Sequence, residues 1–152
     1  MTIEQIWEYY SEDLKWAEEK IQETLKTVAP AISVVGDHLL SSGGKRIRPV
    51  LAILSSRMFG VRGDDVSTLA SSVEFIHTAS LIHDDVVDGA SVRRGKPAAH
   101  SLYGNQVVIL VGDFLYANAL RLANLLGNHT IMDALCTATA KMSEGELVQL
   151  SK

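Results

Sequence analysis

One stretch, residues 65 to 88, limits what this chain can become. Leu69, Val73, Ile76, Ser80, Asp84 and Asp88 recur at spacings of three and four, which puts them on one side of an α-helix. A strand sends alternate residues to opposite faces and cannot use this pattern. The face starts apolar and ends anionic. Asp85 is rotated by about 100° from Asp84 on the same helix. Arg93, Arg94 and Lys96 follow almost at once. Carboxylates, guanidinium groups and an apolar wall within residues 77–96 suggest a metal-bridged phosphate ester that carries a hydrocarbon tail.

The rest of the chain reads as helices too. Ile3, Ile6, Trp7, Tyr10, Leu14, Ala17, Ile21, Leu25 and Val28 form one stripe, which predicts a single helix over 3–28 with Thr2 as its N-cap. Pro30 stops it or starts the next helix. A shorter helix is predicted over 31–40, ended by Gly43 and Gly44. Pro49 suits the first position of the following helix, which runs to Gly60. Asp64 or Asp65 caps the helix of 65–88. Gly89, Gly95 and Pro97 predict a loop. Val108, Ile109, Val111, Leu115, Ala119, Leu122 and Leu126 predict a central helix over 105–126. Met132, Leu135, Cys136, Thr139, Met142 and Leu147 mark a last helix over 129–151. No stretch alternates for long at period two, so no sheet is expected. The fold class is all-α, with long helices and short connections.

Three carboxylates this close repel one another unless a cation lies among them. Hard carboxylate oxygens suit Mg²⁺, which takes one or two of them and completes its shell with water and phosphate oxygens. Arg93 and Arg94 add forked donors for the same anion. A second basic group, Lys45 to Arg48, lies at a helix entrance, where free N–H groups and the dipole already favour an anion. His77, two turns before Asp84, can reach a substrate phosphate. The alternative is a surface helix ending in acids, an unconnected solvated basic turn and a structural histidine. His83 is expected to be packed or hydrogen-bonded, and Cys136 to pack as a small hydrophobe.

Several classes are excluded. Net charge is −4 and basic residues dominate no long tract, which argues against a nucleic-acid binder. One cysteine rules out an internal disulfide and fits a reducing cytosol. The N-terminus carries acids and aromatics early and does not read as a secretory signal. No run approaches the roughly 18 uncharged apolar residues of a membrane span. The best candidate, Val107 to Leu120, is interrupted by Asp113. Lys45 is followed by Arg46, so no nucleotide-type phosphate loop exists, and HExxH, CxxC and GxSxG are absent.

GGKRIRP (43–49), His77, LIHDDVVDGASVRRGKP (81–97) and EGELVQL (144–150) occur in this order. Together they resemble the trans-type isoprenyl diphosphate synthases, the polyprenyl synthases, over the whole chain. The resemblance implies a helical bundle of the isoprenoid synthase fold. It implies that Asp84, Asp85 and Asp88 hold Mg²⁺ on an allylic diphosphate, with Arg93 on the same group. It assigns Lys45, Arg48, His77 and Arg94 to isopentenyl diphosphate. The implied reaction is head-to-tail elongation. The allylic C–O bond ionises, the cation alkylates the isopentenyl double bond, and a proton is lost to the released diphosphate. In that family, bulky residues four and five places before the first aspartate close the tail pocket. Here those places hold Ser80 and Ala79, both small, which predicts an open tunnel and a long all-trans product of octaprenyl or heptaprenyl type. A cytoplasmic homodimer is implied, with no nucleic acid and no membrane span.

Members of that family are about double this length. Their second half carries a Lys-Thr pair, a further Gln and a second aspartate-rich motif, and residues 1–152 correspond to the first half only. Residues 1–152 are therefore expected to be the N-terminal part of one polyprenyl synthase domain, with one side of the metal site and little turnover alone. Uncovered helix faces predict self-association. Three other readings stand beside this one. A class I terpene cyclase shares DDxxD but has no use for GGKRIRP and the RRG arginines. A non-catalytic subunit or interaction module of a heteromeric prenyl synthase would depend on a partner. A helical interaction protein explains the stripes but not the convergence of acids and bases.

Overall fold

The computed structural model describes residues 2–27, 29–41 and 44–151. Val28 and Gly43, and the side chain of Ile3, on which the sequence reading drew, lie outside what is described. The helices are α1 (Ile3–Tyr9), α2 (Ser11–Leu25), α3 (Pro30–Ser41), α4 (Ile47–Met58), α5 (Asp64–Val87), α6 (Ala99–Tyr103), α7 (Asn105–Leu125) and α8 (His129–Leu150). Between α5 and α6 lie two short strands, β1 (Val92–Arg93) and β2 (Lys96–Pro97). The all-α class holds.

The N-terminal stripe is divided. Thr2 caps α1 as expected, in a reciprocal box with Gln5: Gln5 N donates to Thr2 Oγ1 at 3.3 Å and Thr2 N to Gln5 Oε1 at 2.8 Å. The backbone then bends at Tyr10, whose ring meets Tyr9 edge-on at 4.9 Å. No Gly or Pro marks this break, so the sequence carried no signal for it. Beyond it, Ala17, Ile21 and Leu25 are buried. So is Asp13 on the same helix, which accepts from Arg57 Nη2 at 2.7 and 2.8 Å.

Pro30 opens α3. Pro49 is the third residue of α4 rather than its first, because Arg46 turns the chain with φ 46° and Ile47 is already helical. Its missing N–H still falls among the four that no helical carbonyl could reach. Neither Asp64 nor Asp65 caps α5; Gly63 takes that place, with φ 95°. Asp64 lies in the first turn and accepts Lys20 Nζ at 2.8 and 3.0 Å, which holds its carboxyl below the usual range.

The core is built on α5 and α7. Phe75, Ile76, Ala79 and Ile82 pack with Val108, Val111, Leu115, Ala119 and Leu122. Each large apolar side chain buried here contributes about 1.5–3 kcal/mol. Small residues let the helices touch: Ser72 Oγ donates to the Ala119 carbonyl at 2.8 Å, and Ser71 Oγ to that of Ala17 at 2.9 Å. α7 is long and apolar enough, by length and composition, to cross a membrane. Asp113 interrupts its apolar run. In the fold α7 supplies much of the core, and Asp113 lies on its exposed side.

Two expectations fail at the edges. The loop after α5 contains an antiparallel ribbon with Val92 opposite Pro97 and Arg93 opposite Lys96. Strands of two residues are too short to show alternation. Arg94 and Gly95 join them with φ 50° and 77°, as a tight type I′ turn requires. α8 buries none of its residues. Leu135 packs against the core, but Cys136 is exposed rather than packed, as are Met142 and Leu147. Among the described residues no element covers the outer face of α8.

Candidate active site

α5 presents two different faces at the site. Glu74, His77, Thr78, Leu81 and Asp85 line a pocket of about 120 Å³, together with Lys45, Arg46, Arg48, Arg93 and Arg94. His38, Leu39 and residues 97–99 close its far side. Asp84 and Asp88 lie outside this pocket. Asp84 is close enough to Tyr116 of α7 for its charge to act on the phenol.

Two basic segments far apart in sequence meet here. A Cβ on Gly44 would lie 3.2 Å from Arg94 Nη1 and 3.7 Å from Arg46 Nη1. Arg94 holds its left-handed backbone at the turn, a conformation that costs a non-glycine residue about 1 kcal/mol or more. Arg46 is committed elsewhere: its Nε donates to Glu18 at 3.2 Å and its Nη1 to the buried Glu74 at 3.0 Å. Lys45 and Arg48 stay exposed at the rim. Arg46 is thus held by two acids, whereas Lys45 and Arg48 nearby are exposed.

The three acids do not form one cluster. Among the described residues no three His, Cys, Asp or Glu side chains converge on a ready ion cage. Asp85 is almost fully buried and accepts Arg93 Nε at 2.6 Å. That charge-assisted bond holds Arg93 above the usual guanidinium range. The cause is the helical rotation noted above: Asp85 turns to the ribbon while Asp84 turns toward α7. Burial, then the Asp88 charge, pushes the Asp84 carboxyl up. A cation between Asp84 and Asp88 would relieve that repulsion. A part-buried carboxylate one turn from an exposed one fits Mg²⁺, which draws its other donors from water and phosphate.

His77 is half-buried, and burial, followed by the charges of Arg48, Arg94 and Arg93, lowers its pKa to about 4. Its ring is neutral near pH 7. A depressed histidine pKa makes the unfolded chain bind more protons between about pH 6.5 and 4, so folding stability falls as pH drops through that window. An added anion such as diphosphate, if it enters the pocket, would offset the arginine charges and is expected to raise the His77 pKa. An NMR titration of the imidazole with and without diphosphate checks this; an unchanged value removes His77 from the pocket's anion site.

The predicted tail residues lie elsewhere on α5. Ala79 is fully buried in the core. Ser80 is buried with its hydroxyl donating to the His77 carbonyl at 2.8 Å. Several pocket residues escaped the sequence reading. His38 Nε2 donates to the Pro97 carbonyl at 3.2 Å and its ring meets Tyr103 edge-on, tying α3 to the ribbon and α6. Glu74 had a signal, as an acid inside an apolar stretch of α5. His38 had none.

Residues 29–152 match the family model described as Polyprenyl synthetase. The chain is 40% identical to the octaprenyl diphosphate synthase of Escherichia coli over 150 residues, covering 99% of this chain and 46% of that protein. A decaprenyl diphosphate synthase from Rhodobacter capsulatus superposes with a TM-score of 0.96 at 40% identity, over 99% of this chain and 46% of that one. A polyprenyl synthase from Caulobacter crescentus, solved with calcium and isoprenyl diphosphate, gives 0.94 at 37% identity, over 98% of this chain and 45% of that one. The chain spans about half the length of the curated relatives it matches.

Proposed function

The chain belongs to the polyprenyl synthetase family, and from that premise we propose that it provides the substrate-binding face of a prenyltransferase. The reaction is condensation of an allylic diphosphate with isopentenyl diphosphate, head to tail, toward a long all-trans polyprenyl diphosphate. The observation that carries this reading is the two-faced end of α5. Its basic pocket suits one diphosphate; Asp84 and Asp88, turned away from the pocket, suit a second, metal-bound one.

Each residue then has a task. Lys45, Arg48, His77 and Arg94 bind and orient isopentenyl diphosphate. Arg93 stands between the two sites, hydrogen-bonded to Asp85 and within the electrostatic reach of Asp84 and Asp88. It adds a fixed positive charge beside the leaving diphosphate, where preorganised charge acts most strongly. A divalent cation, Mg²⁺ in this reading, would fasten the allylic diphosphate to the acids and draw charge onto it. The calcium and isoprenyl diphosphate in the Caulobacter relative support such a metal and such a ligand. A homo-oligomer in the cytoplasm is part of the proposal; exposed Leu110, Leu147 and Leu150 and the exposed thiol of Cys136 accord with it.

The test is incorporation of labelled isopentenyl diphosphate into farnesyl diphosphate by an assembly that contains this chain, with and without Mg²⁺. Metal-independent labelling, or none, overturns the reading. Tail length gives a second readout. Ser80 lies one turn before Asp84, and a phenyl ring there would obstruct the tail. Ser80→Phe is expected to shorten the product, seen by chromatography of the dephosphorylated chains. An unchanged length would remove Ser80 from the tail path.

A further inference from the structure

The contact between α5 and α7 holds a side-chain unit with no role so far. His83 lies against Gly112: a Cβ there would overlap Nε2 and stand 2.6 Å from Cδ2. Nε2 donates to the Ile109 carbonyl at 3.1 Å, which places the proton on Nε2 and fixes the ring plane. Asp113 Oδ1 stands 3.7 Å from the same nitrogen. The Tyr116 ring lies against the imidazole, with centroids 5.9 Å apart and planes at 32°. Tyr116 packs on the core and is only partly buried. Burial, then the charge of Asp84, pushes its phenol up. Neither His83 nor Tyr116 lines the basic pocket.

We propose that Tyr116, positioned by His83 on Gly112, is the wall against which the first isoprene unit of the allylic substrate packs. This deepens the proposed function and rests on it. The unit lies on the Asp84 side of α5, where the allylic diphosphate would be held, so an isoprene unit attached to that diphosphate starts beside the ring. The aromatic ring offers a flat apolar surface for the hydrocarbon. Fixing the ring in advance lowers the ordering cost of binding. Gly112 is needed because any side chain there would displace the imidazole that supports the ring.

The test separates the two substrates in the metal-dependent prenyl-transfer assembly. Tyr116→Ala is expected to raise KM for the allylic diphosphate about tenfold and to move KM for isopentenyl diphosphate less than about twofold. Tyr116→Phe keeps the ring and should leave both values near the parent. Gly112→Ala should reproduce the Tyr116→Ala pattern and add little to it in the double variant. Where Tyr116→Ala does not fold, Tyr116→Leu takes its place with the same expected split. Equal changes in the two KM values, or no change, overturn the role of Tyr116. Turnover that survives Asp84→Ala would instead sink the site reading on which it rests.

Discussion

Replacing Arg93 with leucine is expected to lower the stability of this chain by about 3–5 kcal/mol. The Asp85 side chain is 4% exposed and accepts Arg93 Nε at 2.6 Å. Removing the arginine leaves a buried carboxylate without compensation, which costs far more than losing a surface ion pair. Urea unfolding of the two proteins measures the difference. The double variant Arg93→Leu with Asp85→Leu should recover most of the loss, since replacing both members of a buried pair is often close to neutral. A loss below about 1 kcal/mol would mean that the pair behaves as a solvated one.

The second large effect concerns turnover. Asp84→Ala is expected to reduce metal-dependent prenyl transfer about a thousandfold, the scale on which a fixed charge-stabilising group is missed. It should not lower stability to unfolding, because burial and the Asp88 charge already disfavour the Asp84 carboxylate in the folded chain. Asp64→Ala is the matched control. That acid also lies on α5 but at its other end, bound to Lys20 at 2.8 Å. It should affect stability slightly and turnover not at all. Loss of turnover in the control would show that the assay reads folding rather than the site.

Much of the fold was legible because helical spacing is a local property. The stripes of α5 and α7 predicted both helices to within one residue at each end. Capping by Thr2 and the start at Pro30 were equally local. What failed had no local mark in the sequence. The bend at Tyr10 has no breaker residue, and the ribbon at 92–97 is too short for a pattern. The site divides the same way. The residue types and their order were visible, and so was the rotation between Asp84 and Asp85. Its consequence was not, because the partner of Asp85 is set by where the ribbon lands. Arg46 and Arg48 look alike in sequence, yet Arg46 is drawn inward by Glu18 and Glu74. Gly112 reads as a mild helix defect until His83 is seen lying on it.

A helix that serves different neighbours on its two faces cannot change its residue count. Adding one residue to α5 between Ser72 and His83 would turn everything after it by about 100° and advance it by about 1.5 Å. Asp84 would enter the enclosed place beside Arg93, and His83 would be carried off Gly112. Deleting one would turn Asp85 out toward Tyr116 and press Asp84 onto the glycine. Substitutions along this segment can be graded, from Ser80→Phe to a silent change on the outer turn. Insertions and deletions cannot, since each one reassigns every later residue at once. Length variation among natural versions of this sequence should therefore collect in the turns on either side of α5, at 60–63 and 89–91, and spare the helix itself.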